Sequence, residues 1–284
     1  MRHYRQLRQL FLFPFVLSIL ACNPGVPDES QVKPDQVLSA NDSSSLPIEK
    51  ASFGLPLGSL PPKVQQSLQR IRVLRLTDGI IDSVWNLSQP KNSYEVIVLD
   101  CSSGSLSTSR VKAIVDWAKQ GHGLLIQARH VDRFSHELLP APCYLESKFY
   151  LYNKPHPELV PGSELVRDVS LIENYFWCAG GNSVLHLLLP LPDGEREYSE
   201  SERQDPLEVL TKNGGELFPV LYSTKDLEGH YLVTSRYQHA RVAWFSGDIN
   251  FANKGCQPQY DDVRLWSNLM HWLADEGRRG GEAL

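Results

Sequence analysis

Asp100 and Cys101 stand together at the end of an apolar run, Tyr94-Glu95-Val96-Ile97-Val98-Leu99. They offer a carboxyl group for acid or base work and a thiol that turns nucleophilic if a nearby cation lowers its pKa. A second group, Arg129, His130, Asp132 and His136, follows the apolar run Gly123-Leu124-Leu125-Ile126. Asp132 and His136 have the i, i+4 spacing that shares one helix face, and with His130 they form a candidate set of metal ligands. Asp248 follows a third apolar run and is a candidate to share a pocket with Asp100, either as acid and base or around a cation. Each has a plainer reading. Cys101 serves equally as a buried thiol or a disulfide partner, the two aspartates as turn caps, and the histidines as polar surface residues.

The elements that position these residues are legible as periodicities. Residues 71–76 alternate apolar with basic and run into Thr77-Asp78-Gly79, a strand and a turn. Residues 94–100 are rich enough in β-branched side chains to be a strand buried on both faces. Val111, Ile114, Val115 and Ala118 recur at helical spacing within 107–120, with Ser107 as candidate N-cap and Gly121 just past the end. Another buried strand covers 123–128. Strand, helix and strand in this order make a right-handed crossover between parallel neighbours, so Asp100, Cys101, Arg129 and His130 are expected along one carboxyl edge of the sheet.

Beyond this core, 140–182 reads as an irregular insertion. Its aromatic cluster of Phe149, Tyr150, Tyr152, Tyr175, Phe176 and Trp177 suits either a sugar groove or the packing of the insertion itself. Residues 184–191, 218–223, 231–236 and 241–246 read as strands, the later ones joined as antiparallel hairpins through Gly229 and Gln238-His239. Residues 261–276 form a terminal helix with Trp266, Leu269, Met270 and Leu273 on one face and Gly277 as its stop.

The N-terminus has its own chemistry. Arg2, Arg5 and Arg8 precede an apolar stretch interrupted by Pro14, shorter than the ~20 apolar residues of a permanent span, so residues 1–21 read as a cleaved signal peptide. Ile19-Leu20-Ala21-Cys22 resembles the bacterial lipobox, which implies that Cys22 is lipidated and becomes the mature terminus. Asn23 in place of aspartate, by the same resemblance, favours the outer membrane of a Gram-negative envelope. Residues 22–50 carry Pro24, Pro27, Pro34 and Pro47 and no aromatic side chain, the composition of a flexible tether. Cleavage leaves 25 basic against 33 acidic residues, a net charge of −8 that argues against nucleic acid as a partner. Cys101, Cys143, Cys178 and Cys256 then remain, open to two disulfides or to buried free thiols, and their spacing fits no zinc site.

Three blocks carry a family resemblance: 94–99 with its helix and Gly121-His122-Gly123-Leu124-Leu125-Ile126; Lys154-Pro155-His156-Pro157-Glu158-Leu159; and 240–248 with the final His271-Trp272-Leu273-Ala274. Together they resemble the class I glutamine amidotransferase-like superfamily, in its ThuA-like, trehalose-utilisation branch. The resemblance implies an α/β fold of flavodoxin-like type: a mostly parallel sheet with helices on both faces over 51–277, plus antiparallel hairpins, the insertion and a disordered tail at 278–284. It also implies a nucleophilic cysteine at the elbow after residues 124–128. Here that place reads Gln127-Ala128-Arg129-His130, with neither cysteine nor serine, so glutaminase chemistry is not expected. Two functional readings follow. One is a non-catalytic envelope module that binds a small ligand, a glycan or an envelope protein. The other is a ThuA-like enzyme acting on a sugar through Asp100, His130 and Asp248, with or without a metal. No motif for an organic cofactor is present, and oligomeric state is not encoded legibly.

Replacing Cys22→Ser is expected to abolish incorporation of radiolabelled fatty acid and to move the protein from the detergent phase to the aqueous phase on Triton X-114 partitioning. Unchanged labelling and partitioning would refute the lipid anchor.

Overall fold

The computed structural model describes residues 49–51, 57–81, 94–139, 144–149, 157–172, 183–191, 194–197, 216–223, 229–246 and 260–275. The signal peptide, Cys22, most of the tether, Cys143, Cys178, Cys256, Asp248, His156 and the tail lie outside them. The chain divides into Met1–Ser44 and Ser45–Leu284, and every described residue belongs to the second unit.

The strands are β1 (Glu49–Lys50), β2 (Arg72–Leu76), β3 (Val96–Leu99), β4 (Gly123–Gln127), β5 (Tyr144–Phe149), β6 (Pro157–Leu159), β7 (Ser183–Leu191), β8 (Gly194–Glu197), β9 (Glu216–Ser223), β10 (His230–Tyr237) and β11 (Ala240–Phe245). The helices are α1 (Pro62–Arg70), α2 (Thr108–Ala118), α3 (Val131–Leu138) and α4 (Tyr260–Ala274). The fold is α/β. Its sheet runs β1-β2-β3-β4-β11-β10-β7-β5, with β6, β8 and β9 joined to the side. Strands β2, β3, β4 and β11 are parallel neighbours and form the flavodoxin-like core, and the hairpin strands extend it antiparallel. Val96 pairs with Gly123 and Leu99 with Ile126, as the expected crossover requires.

Strand alternation divides the core into two layers. Leu74, Leu76, Ile97, Leu99, Leu124, Ile126, Val242 and Trp244 face α2 and α3. Val73, Val96, Val98, Leu125, Ala243 and Phe245 face α1 and α4. Both sides of β3 are therefore fully apolar and buried, which is why its sequence lacks polar alternation. Helix α2 starts where Ser107 accepts the Arg110 N–H at 3.4 Å, and Gly121 beyond its end takes φ +105°.

Three boundaries differ from the sequence expectation. The expected tether of 22–50 ends sooner, since Glu49 and Lys50 pair with Val73 and Arg72 as strand β1. Helix α4 stops at Ala274, short of the expected end at residue 276, and the expected stop, Gly277, lies outside the described residues. Asp275 takes the left-handed conformation, φ +57°. Aspartate tolerates that region because its short polar side chain is readily held there, here by Arg241. The described part of the 140–182 insertion is also more regular than its composition suggests: β5 pairs along β7 and β6 pairs with β9. No helix among the described residues is long and apolar enough to cross a membrane.

At Gly123 an added Cβ would come within 2.8 Å of Leu273 Cβ and closer still to the Leu273 carbonyl oxygen. Gly123→Ala should therefore destabilise the protein by about 1–3 kcal/mol through overpacking, read as a lower urea midpoint at unchanged m-value. Gly58→Ala, where the space is open, serves as the control and should leave the midpoint nearly unchanged.

Candidate functional site

The carboxyl edge of β2, β3 and β4 gathers most of the chemistry. Asp100 leaves β3 and meets Arg75 from β2, whose Nε and Nη2 donate to Oδ2 at 2.6 and 2.5 Å. Its other oxygen accepts from Gln127 Nε2 at 3.3 Å and Arg129 Nη2 at 3.4 Å, and Arg129 also donates to Gln127 Oε1 at 2.6 Å. Bonds of this charge-assisted type hold the carboxyl group in place between two guanidiniums. Asp100 is 14% exposed and Arg129 37%, so the rim of the cluster reaches solvent while the carboxyl group is mostly covered.

Asp78, just after β2, organises the loop that follows Cys101. It accepts from Ser105 Oγ and from the Ser102 N–H and hydroxyl, and these bonds, Ser105 first, hold its carboxyl below the usual range. The sequence reads Thr77-Asp78-Gly79 as a turn; Asp78 and Gly79 instead open a helical segment, in which the Ile80 and Ile81 N–H groups donate to the Thr77 carbonyl oxygen at 3.1 and 3.0 Å.

Cys101 and His130 lie beneath this rim, both fully buried. Cys101 is a free thiol. Burial pushes it up to about 11, the Asp78 charge adding to the effect, so it remains a thiol at neutral pH. His130 Nε2 donates to the Cys101 carbonyl oxygen at 2.9 Å and lies 3.9 Å from Sγ. Burial lowers His130 to about 4, against the opposing effect of that hydrogen bond. The ring is therefore neutral, and its Nδ1 has no hydrogen-bond partner among the described residues. An imidazole whose proton is committed to a backbone carbonyl is poorly placed to draw the proton from the neighbouring thiol.

Asp100, Cys101, Arg129 and His130 thus come together as expected. The proposed metal set does not. His130 sits in the 3-10 turn Ala128–His130 ahead of α3 and points inward to Cys101. Asp132 and His136, inside α3, face β5: Asp132 accepts the Ser147 N–H at 3.2 Å, and the His136 ring lies 4.6 Å from that of Tyr144. The helical spacing of the pair was right, but His130 belongs to a different turn and another direction. Among the described residues no group of three such side chains could hold a metal ion. Asp248 and all but Phe149 of the aromatic cluster lie outside the described residues, as does the Phe149 side chain. Arg75 and Gln127 complete the site unannounced by any motif. Their only sequence signal is a polar residue at a strand position next to a carboxyl end.

No family model matches the chain, and no curated protein does. It is similar to two cytoplasmic proteins of Salmonella typhimurium. STM3548 is 16% identical at TM-score 0.37, over 68% of this chain and 74% of that one. STM1381 of strain LT2 is 13% identical at 0.45, over 79% and 87%. The mmIFT52 N-terminal domain is 9% identical at 0.40, over 75% and 99%.

His130 makes stability pH-dependent in a defined window. Its folded pKa of about 4 lies below the unfolded value of 6.5, so the unfolded chain takes up the proton first as pH falls. The stabilisation is complete above pH 6.5 and is lost progressively down to pH 4, a change of about 3 kcal/mol. Urea unfolding followed from pH 7 to 4 should show this loss, and His130→Gln, which can still donate to the Cys101 carbonyl, should remove that portion of the slope. Parallel curves for the two proteins would rule the assignment out.

Proposed function

We propose that this chain is a membrane-anchored envelope lipoprotein whose amidotransferase-like α/β domain binds a ligand or partner without catalysing a reaction on it. The observation that carries the reading is the strand end after β4, where Gln127-Ala128-Arg129-His130 supplies no nucleophile and the adjacent thiol is buried and protonated. Covalent acyl transfer needs a nucleophile and a base in mutual reach with the base free to accept a proton. His130 has its Nε2 engaged by a carbonyl, and Asp100 is engaged by Arg75, Gln127 and Arg129.

The features that remain suit recognition. A half-exposed guanidinium, two serine hydroxyls and Asp78 line a rim fixed by internal bonds, and little rearrangement entropy is then lost on docking a polar ligand. The lipobox-like Ile19-Leu20-Ala21-Cys22 and the tether that precedes β1 supply the envelope address, with the outer membrane favoured by Asn23. Acyl chains on Cys22 add about 0.8 kcal/mol per buried methylene, so several together make attachment lasting.

The test uses the full chain in detergent. Ammonia release from glutamine is expected to match the Cys101→Ser variant and buffer alone, while a panel of mono- and disaccharides is screened by thermal shift against wild type and Arg129→Ala. A sugar that raises the melting temperature only when Arg129 is present supports the binding reading. Glutamine turnover that disappears in Cys101→Ser would overturn it.

A further inference from the structure

The opposite, amino edge of the sheet holds a cleft of about 270 Å³ lined by Gln120, Arg236, Gln238, His239, Arg241 and Asp275, among others. Arg236 and Arg241 are directly opposed across the β10–β11 hairpin. Like charges in that position are destabilising, so a pair retained there calls for an explanation. Arg241 has a structural one. It is nearly buried, donates to the Leu273 and Gly121 carbonyl oxygens at 3.1 and 3.0 Å, and pairs with Asp275 at 2.8 Å.

Among the described residues Arg236 has no such framework. Its side chain is 45% exposed and lies 5.7 Å from the Trp272 ring, and its ion pair is with Glu164, itself 60% exposed, at 3.5 Å. An exposed pair of that length contributes little and exchanges readily for a better acceptor. The backbone around the cleft is also conformationally unusual. Gln238 takes φ +56° in the two-residue hairpin turn, where glycine, asparagine or aspartate is preferred, and Gly121 and Asp275 are left-handed as well. Non-glycine residues in this region cost energy and tend to cluster at ligand clamps.

We propose that the amino-edge cleft binds the oxyanion of a small molecule, a carboxylate or a phosphate, through the Arg236 guanidinium. A planar guanidinium within cation–π range of an aromatic ring presents a fork that matches two oxygens at once. Asp275, on the same wall, pairs with Arg241 at 2.8 Å, so the negative charge it brings to the cleft is offset there. The amide side chains of Gln120 and Gln238 and the His239 ring stand on the same walls to meet the rest of the ligand. The volume falls just below the roughly 300–1,000 Å³ of sites for drug-sized molecules, which points to a smaller metabolite. This site is at the other end of the strands from Asp100 and stands whether or not the carboxyl edge binds anything.

The experiment titrates the full chain in detergent with inorganic phosphate and, separately, with succinate, by calorimetry and thermal shift at ionic strength held constant with chloride. At least one anion should bind saturably and raise the melting temperature, and the better of the two identifies the class. Arg236→Gln should weaken it about tenfold or more, and Arg236→Lys, which keeps the charge but loses the fork, should fall between. Arg72→Gln, an equally exposed arginine paired with Glu95, should leave affinity within about twofold. The proposal is overturned if neither anion acts beyond chloride, or if Arg236→Gln binds as wild type does, which would mark an adventitious ion only. Circular dichroism verifies that each variant is folded, and Arg236→Lys carries the test should Arg236→Gln fail to fold.

Discussion

The buried guanidinium of Arg241 is the interaction on which the arrangement of layers depends. It projects from a central strand, β11, and binds the Leu273 carbonyl in the last turn of α4 and the Gly121 carbonyl just past the end of α2. Those helices lie on opposite faces of the sheet. Carbonyl groups at helix ends lack intrahelical partners and carry the negative end of the helix dipole, so a cation between two such ends satisfies both. Asp275 then offsets the remaining charge. A buried arginine would otherwise be a large desolvation cost in a protein whose net stability is only about 5–15 kcal/mol. Because Arg241 draws the end of α4 onto the start of β4, Gly123 has no room for a side chain.

With the layers fixed at the amino edge, the carboxyl edge is free to collect loops. The parallel strands β2, β3 and β4 all end there, and each contributes a polar residue within reach of Asp100: Arg75, Asp100 itself, and Gln127 with Arg129. The result is an electrostatically closed cluster. Among the described residues the strongly perturbed pair, Cys101 and His130, is perturbed by burial and towards neutrality, the direction that makes a thiol inert and an imidazole uncharged.

Local chemistry made much of this legible in the chain. The β3–α2–β4 unit declared itself by an unbroken apolar run, a serine cap and a glycine stop, and strand direction alone brought Asp100, Cys101, Arg129 and His130 to one edge. Long-range partnership was not legible. Arg75 shows only as the polar member of an alternating strand, and nothing near it in sequence announces Asp100, which lies 25 positions on. Arg241 is harder still, since its acceptors are backbone carbonyls 32 and 120 positions away and carry no side-chain signature. The His130, Asp132 and His136 set failed for a related reason: spacing defines a shared face only inside one helix, and α3 begins after His130.

The unpaired Nδ1 of His130 bears on what the carboxyl edge is built to do. A buried acceptor without a donor costs about 1–3 kcal/mol, a burden that an apolar side chain of similar shape would avoid. The other ring nitrogen holds the Cys101 carbonyl, at the point where the chain leaves β3 for the loop of Ser102 and Ser105. Asp78 holds that same loop from the outer side. Inner and outer clamps on one short segment fix the height of the rim beside Arg129. Under the binding reading proposed above, such a rim would lose little entropy on docking, because its shape is set before any ligand arrives.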